Sequence, residues 1–321
     1  MSATTPHDTT VSAPPSMGLD AVARGASSYG LAQRWADYKT LVKPRITRLV
    51  VVTAAIGFFL AVRDGYAWTW LMLGGTLFGT ALSCMAASVF NQALERRTDA
   101  LMPRTADRPL AAERLPLAEA VALGFAFMLA GQAMLCMFGT PLASAVAGFT
   151  IVSYVLMYTP LKRVSPTALY VGAIPGALPP VIGYAAVSGS LWSAEAVAIW
   201  LIFAVMAVWQ VPHFLAIGFM YRRDYAAGGL AMHAVRDPSG RSSVRRAVLS
   251  CGVLLVLGTL PTLLGHAGWV ALGLVTAGGL AYLYYALRWA QQGGRDAARK
   301  LFFVSLIYLP VVLAVLLADA K

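Results

Sequence analysis

Uncharged stretches of this chain are long enough to cross a membrane, and charged residues punctuate them. A membrane helix needs about 20 mostly apolar residues, because each residue rises about 1.5 Å across a hydrocarbon core about 30 Å thick. Fourteen uncharged residues lie between Arg48 and Arg63, enough for one helix if both arginines reach back to the interfaces. Thirty lie between Asp64 and Glu95, 31 between Arg163 and Glu195, 26 between Glu195 and Arg222, and 18 between Lys300 and Asp319. The 42 residues between Glu119 and Lys162 are broken by Gly139-Thr140-Pro141, and the 41 between Arg246 and Arg288 by Gly265-His266-Ala267-Gly268, so each of these two stretches holds two helices. The pattern predicts an all-α integral membrane protein of nine transmembrane helices in a bundle. The nine-helix domain spans residues 37–321. The tail over residues 1–36, rich in Ser, Thr, Ala and Pro with little to bury, is expected to be disordered.

Composition agrees with the pattern. With 59% hydrophobic and 12% charged residues and a mean hydropathy of +0.68, the chain is unlike a water-soluble domain, a disordered chain, a collagen or a disulfide scaffold. A formal net charge of +11 would suggest nucleic acid in a soluble protein. Here, if the loops alternate sides, 23 of the 25 basic residues fall on the side of the amino terminus and only Arg63 and Lys321 on the other. The positive-inside rule then places the amino terminus in the cytoplasm and the carboxyl terminus outside, in a bacterial inner membrane, with lipid and not nucleic acid as the partner. Cys84, Cys136 and Cys251 lie singly in apolar segments and are read as buried thiols.

Polar residues at the predicted helix ends carry the candidate chemistry. On a helix continued past the second span, Asn91, Glu95 and Asp99 stack at i, i+4 and i+8 on one face. Aligned oxygen ligands suit Mg²⁺, which keeps several waters and is held by one or two carboxylates plus substrate phosphates. Arg104 and Arg108 follow one turn apart and could clamp those phosphates. Four helices later Asp224, in Tyr221-Arg-Arg-Asp-Tyr225, is either a second acidic site, which makes the metal set Glu95, Asp99 and Asp224, or a surface ion pair with its neighbouring arginines. Lys162 and Arg163 have no acid near them in sequence, and an anionic partner is expected for them. Trp209-Gln210-Val-Pro212-His213-Phe214 puts a proline and an ionisable residue near the cytoplasmic depth of the sixth span, so His213 is either a site residue or a histidine tied to a neighbouring backbone carbonyl. Imidazole commonly ligates haem iron. Six Gly and Pro residues between Gly172 and Gly183 predict a kinked fifth span.

Together these segments resemble a known family. Asn91 through Arg108-Pro109 resembles the first metal-diphosphate motif of the membrane-embedded UbiA-type prenyltransferases. Tyr158-Thr-Pro-Leu-Lys162-Arg163, Trp209-Gln-Val-Pro-His213-Phe, Lys43-Pro44-Arg45 and Asp224-Tyr225 are similar to its haem-farnesylating branch, protohaem farnesyltransferase or haem O synthase. The resemblance runs from about Asp37 to the end of the chain. Two departures stand out: the family usually has Asp where this chain has Glu95, and Ala-Gly-x-Pro-Met where it has Gly228-Gly229-Leu230-Ala231-Met232. The resemblance implies Mg²⁺-dependent transfer of a farnesyl group from farnesyl diphosphate to a vinyl group of haem b, with addition of water, in an apolar cavity within the bundle that opens toward the cytoplasmic side. It implies catalytic Asn91, Glu95, Asp99 and Asp224, diphosphate contacts from Arg104, Arg108, Lys162 and Arg163, and haem contacts from Trp209, Gln210 and His213. A haem-modifying or oxidase-assembly protein would be a natural partner. The alternatives are a secondary transporter, which more often carries its charges near the midplane, and a related prenyltransferase acting on a quinone-ring precursor or a chlorophyll-type acid.

Overall fold

The structure, a computed structural model, describes residues 30–321, in which the regular elements are helical. Residues 1–29 of the expected tail lie outside the described residues, and its last residues already belong to a helix, Leu31–Val42. Residues 37–321 form one compact unit.

Nine helices among the described residues are long and apolar enough to cross a membrane. In chain order they are Pro44–Arg63, Trp70–Ala100, Leu117–Phe138, Pro141–Val164, Ala168–Ser188, Val197–Met220, Arg241–Leu263, Trp269–Gln292 and Gly294–Ala318. Local chemistry sets their ends. Pro44 opens the first span where a backbone N–H would be unsatisfied anyway, and Lys43 before it takes the left-handed conformation, φ 49°. Thr69 and Thr140 cap the second and fourth spans by accepting bonds from the N–H groups of Met72 and Ala143, each at 3.1 Å. Asp237 does the same for the seventh span, accepting from Ser243 N at 2.8 Å.

Two spans are interrupted. The fifth breaks at Leu178 into Ala168–Ala177 and Pro179–Ser188, as its prolines predict. The fourth carries a π-helical turn, Ser153–Tyr158, which the sequence does not announce. The first span packs against the second half of the fifth, and here glycine is required. A Cβ on Gly57 would lie 1.8 Å from the carbonyl oxygen of Pro180, and one on Gly183 would lie 1.8 Å from that of Ala54. The two backbones touch, the close approach that small residues allow between membrane helices.

The two ends of the bundle differ. Trp70, Trp192 and Trp269 stand exposed at or just before the starts of the second, sixth and eighth spans, as in an interfacial aromatic belt. At that end Arg63 donates to the carbonyls of Leu317 at 2.8 Å and Ala318 at 3.1 Å, tying the first span to the end of the ninth. The opposite end carries the basic loops. Of the three cysteines only Cys251 is buried. Cys84 is half-buried and Cys136 is exposed, which corrects the expectation for both. Cys136 sits on the third span, whose apolar surface is largely uncovered by protein, as suits a helix facing lipid.

Candidate active site

The second span runs on to Ala100, so Asn91, Glu95 and Asp99 lie on one continuous helix as the spacing predicts. All three are buried, with exposures of 2%, 5% and 1%. Burying two carboxylates is costly unless each gains a partner. Asn91 Nδ2 donates to Glu95 Oε2 at 2.9 Å and to Thr159 Oγ1 at 3.1 Å. Lys162 Nζ stands 2.5 Å from Glu95 Oε1, and Arg108 donates to Asp99 Oδ2 at 2.7 Å. The anionic partner expected for Lys162 is therefore Glu95, hidden from sequence because it arrives on another helix. Arg163 is exposed and ties its guanidinium to the Leu94 carbonyl at 2.7 Å, a backbone anchor.

The π-turn makes this meeting possible. A single wide turn shifts the register of the residues after it, and Thr159 Oγ1 bonds back to the Tyr154 carbonyl at 2.9 Å, five residues earlier. Thr159 thereby meets Asn91, and Lys162 lies 4.8 Å from the centre of the Tyr158 ring. Lys43, the first residue of the Lys43-Pro44-Arg45 motif, also reaches this face. Its Nζ donates to Asn91 Oδ1 at 3.4 Å. Burial above all, then the charges of Arg108 and Lys162, lowers its pKa to about 8, with Glu95 and Asp99 opposing.

Arg104 leaves this face and lies against two rings of the facing loop, 4.9 Å from the centre of Tyr221 and 5.8 Å from that of Tyr225. That loop is docked on the fourth span by Ala231 N, which donates to the Lys162 carbonyl at 2.8 Å, and by Arg236, which donates to that of Val164 at 2.9 Å. A Cβ on Gly228 would lie 2.9 Å from Met102, so the two loops touch. Asp224, however, is half-buried on the short helix Arg222–Ala227 and borders a cavity with Arg222, Arg223 and Arg295. Among the described residues no three acidic, His or Cys side chains are grouped so as to hold a metal ion. The predicted set of Glu95, Asp99 and Asp224 is thus not brought together: the loop's anchors on Lys162 and Val164 leave Asp224 beside the ninth span.

The remaining face is all oxygen donors on one side of a helix, two of them carboxylates. That donor set fits Mg²⁺, which completes its shell with water and phosphate oxygens and needs no closed protein cage. Lys162 and Arg108 now neutralise the carboxylates that would hold it.

Trp209 and His213 form a second cluster one turn apart on the sixth span. Their rings stack at 4.9 Å, His213 Nδ1 is 2.6 Å from Ser305 Oγ, and Phe302 lies 5.0 Å away. Trp209 Nε1 donates to the Ser305 carbonyl at 2.9 Å. Gln210 points elsewhere: its Nε2 donates to the carbonyls of Ala173 and Met206, both at 3.1 Å, latching the sixth span to the fifth. Of the three residues expected at haem, two sit together against the ninth span and the third holds two helices.

Comparison with known proteins agrees with this architecture. The sequence profile of the UbiA prenyltransferase family matches residues 50–307. The protein is 38% identical over 290 residues to a protoheme IX farnesyltransferase of Solibacter usitatus, covering 88% of this chain and 98% of the relative. It is 39% identical over 287 residues to one of Opitutus terrae, covering 89% and 95%. Its fold is similar to that of a digeranylgeranylglyceryl phosphate synthase, with a TM-score of 0.74 at 15% identity over 89% of this chain and 98% of that one. It is also similar to a UbiA homologue from Archaeoglobus fulgidus bound to DMAPP and Mg²⁺, with a TM-score of 0.62 at 14% identity over 87% and 99%. Nine spans, a polar helix face at their basic end and a profile match over most of the chain lead to one conclusion: the chain belongs to the UbiA prenyltransferase family.

Proposed function

We propose that this protein transfers the farnesyl group of farnesyl diphosphate to a vinyl group of haem b, with addition of water, giving haem O. The observation that carries the reading is the buried face of Asn91, Glu95 and Asp99, met by Lys43, Arg108 and Lys162 from three other segments of the chain. Two carboxylates among so many cations leave an excess of positive charge suited to a diphosphate. Relatives sharing more than a third of the sequence are named for protoheme, which favours haem over a quinone-ring acceptor. Family membership sets the transporter alternative aside.

In this reading Lys43, Lys162 and Arg108 bind the diphosphate oxygens and orient the allylic carbon, and Arg104 borders the same site from its aromatic bed. Asn91, Glu95 and Asp99 would hold Mg²⁺, without Asp224, which lies beside the ninth span. Bound Mg²⁺ supplies Lewis-acid charge that stabilises the departing diphosphate. As the C–O bond breaks, the cationic side chains meet the charge gathering on the leaving oxygen, where fixed charges act most strongly. The allylic cation is attacked by the electron-rich vinyl carbon, and water captures the cation formed beside the macrocycle and loses one proton to leave the hydroxyl. Trp209 and His213 form an aromatic wall for that macrocycle, and the Ser305 contact fixes the imidazole's orientation. The enzyme works in a bacterial inner membrane with its basic end and amino terminus in the cytoplasm, and an oxidase-assembly protein would receive the product.

Competition between acceptors tests this reading. Diphosphate release from farnesyl diphosphate by the purified protein is expected with haem b and not with a 4-hydroxybenzoate-type ring; release with the ring alone would reassign the acceptor.

A further inference from the structure

Away from the acid-base face, the basic end of the bundle carries a cavity of about 590 Å³ between the start of the seventh span and the end of the eighth. Arg241, Arg245, Val244, Val248, Leu287 and Trp289 line it. Arg241 and Arg245 lie one turn apart on one helix face and are both exposed. Neither guanidinium has a hydrogen-bond or ion-pair partner among the described residues, whereas neighbouring Arg246 is tied to the Tyr170 hydroxyl at 2.7 Å. Residues 222–300 hold ten Lys and Arg against three carboxylates, and one of these, Asp237, is committed to Ser239 and Ser243. No carboxylate among the described residues forms an ion pair with either arginine.

The wall below the arginines is apolar. Val244 and Val248 continue along the seventh span into Leu249, Val253 and Val256, exposed by 62%, 50% and 62%, and Leu287 and Leu280 face out along the eighth. Trp289, fully buried, makes the floor rigid. Two uncommitted cations at the water edge above an apolar strip running toward the hydrocarbon match an amphiphile with an anionic head. An inorganic anion would use the arginines and leave the strip idle. We propose that this groove binds one anionic phospholipid, its phosphate held by Arg241 and Arg245 and an acyl chain lying along Val248 and Leu287. The site is independent of the diphosphate site and of the substrate assigned there.

Native mass spectrometry of the full chain in an uncharged detergent tests it. The protein should retain one phosphatidylglycerol under activation that strips phosphatidylcholine, and soluble glycerol 3-phosphate should not compete. The double variant Arg241→Gln, Arg245→Gln should weaken retention about thirtyfold, the scale of two cations near an anionic surface, and Arg241→Lys, Arg245→Lys should recover most of it. Ala290→Trp, which fills the groove without altering charge, should also lose the lipid while its thermal unfolding shows it folded. Equal retention by the glutamine variant would overturn the site. Undiminished retention by folded Ala290→Trp would do the same, leaving only the general positive field of this end. Displacement by glycerol 3-phosphate would contradict the lipid and leave a plain phosphate site.

Discussion

Lys43 gives the acid-base face a titration within reach of ordinary assays. Its pKa lies near 8, below the usual lysine value, because burial and the neighbouring Arg108 and Lys162 penalise the charged form. The ammonium is therefore present below about pH 8 and lost above it, so diphosphate binding should weaken as pH rises through that value. The expected outcome is an alkaline limb in kcat/KM near pH 8 that moves to higher pH in Lys43→Arg; an unchanged limb would detach Lys43 from the reaction. Glu95→Gln and Asp99→Asn should each lower kcat by about 10²–10³, the scale of losing one preorganised electrostatic contact, at unchanged membrane yield. Glu95→Asp, the family's usual residue, should keep substantial activity. Single-turnover rates check these values. The stripe itself was legible in sequence, since helical spacing alone aligns residues four apart. Lys43 and the Glu95–Lys162 pair were not, because their partners arrive from 48 and 67 positions away, a distance only the packed bundle closes. Gln210, read as a haem contact, shows the converse: a polar residue beside a promising histidine can be spent on helix carbonyls.

At the scale of elements, the spans were readable because charges are too costly to leave in hydrocarbon, so each uncharged gap had to hold one crossing or, where a Gly-containing turn divides it, two. The broken fifth span was readable through its prolines. The π-turn was not, since Ser153–Tyr158 has the composition of any membrane helix and its wide turn is selected by what must meet on the far side, Thr159 with Asn91. The touching backbones of the first and fifth spans yield a sharper expectation. Gly183→Ala places a methyl group into the Ala54 carbonyl and should destabilise by about 1–3 kcal/mol as an overpacked contact does. Gly74→Ala meets nothing within 4 Å and should be neutral or slightly stabilising, because alanine favours the helix. Thermal unfolding in detergent compares the two.

For the whole molecule, the basic end and the tryptophan end fix opposite faces. In a Cys-free background, single cysteines replacing the exposed Trp192 or Leu264 should label from outside sealed cells, and one replacing Ala100 only after the membrane is opened. Labelling of Ala100 in sealed cells would invert the topology. Whether the buried face of Asn91, Glu95 and Asp99 drives farnesyl transfer to haem is read from the mass of the haem recovered after the purified protein is incubated with haem b, farnesyl diphosphate and Mg²⁺. The expected product is haem heavier by one farnesyl group and one hydroxyl, formed by the wild type and not by the Glu95→Gln, Asp99→Asn double variant or under excess chelator. Haem recovered unchanged from the wild type, or modified equally by the double variant, would contradict that role.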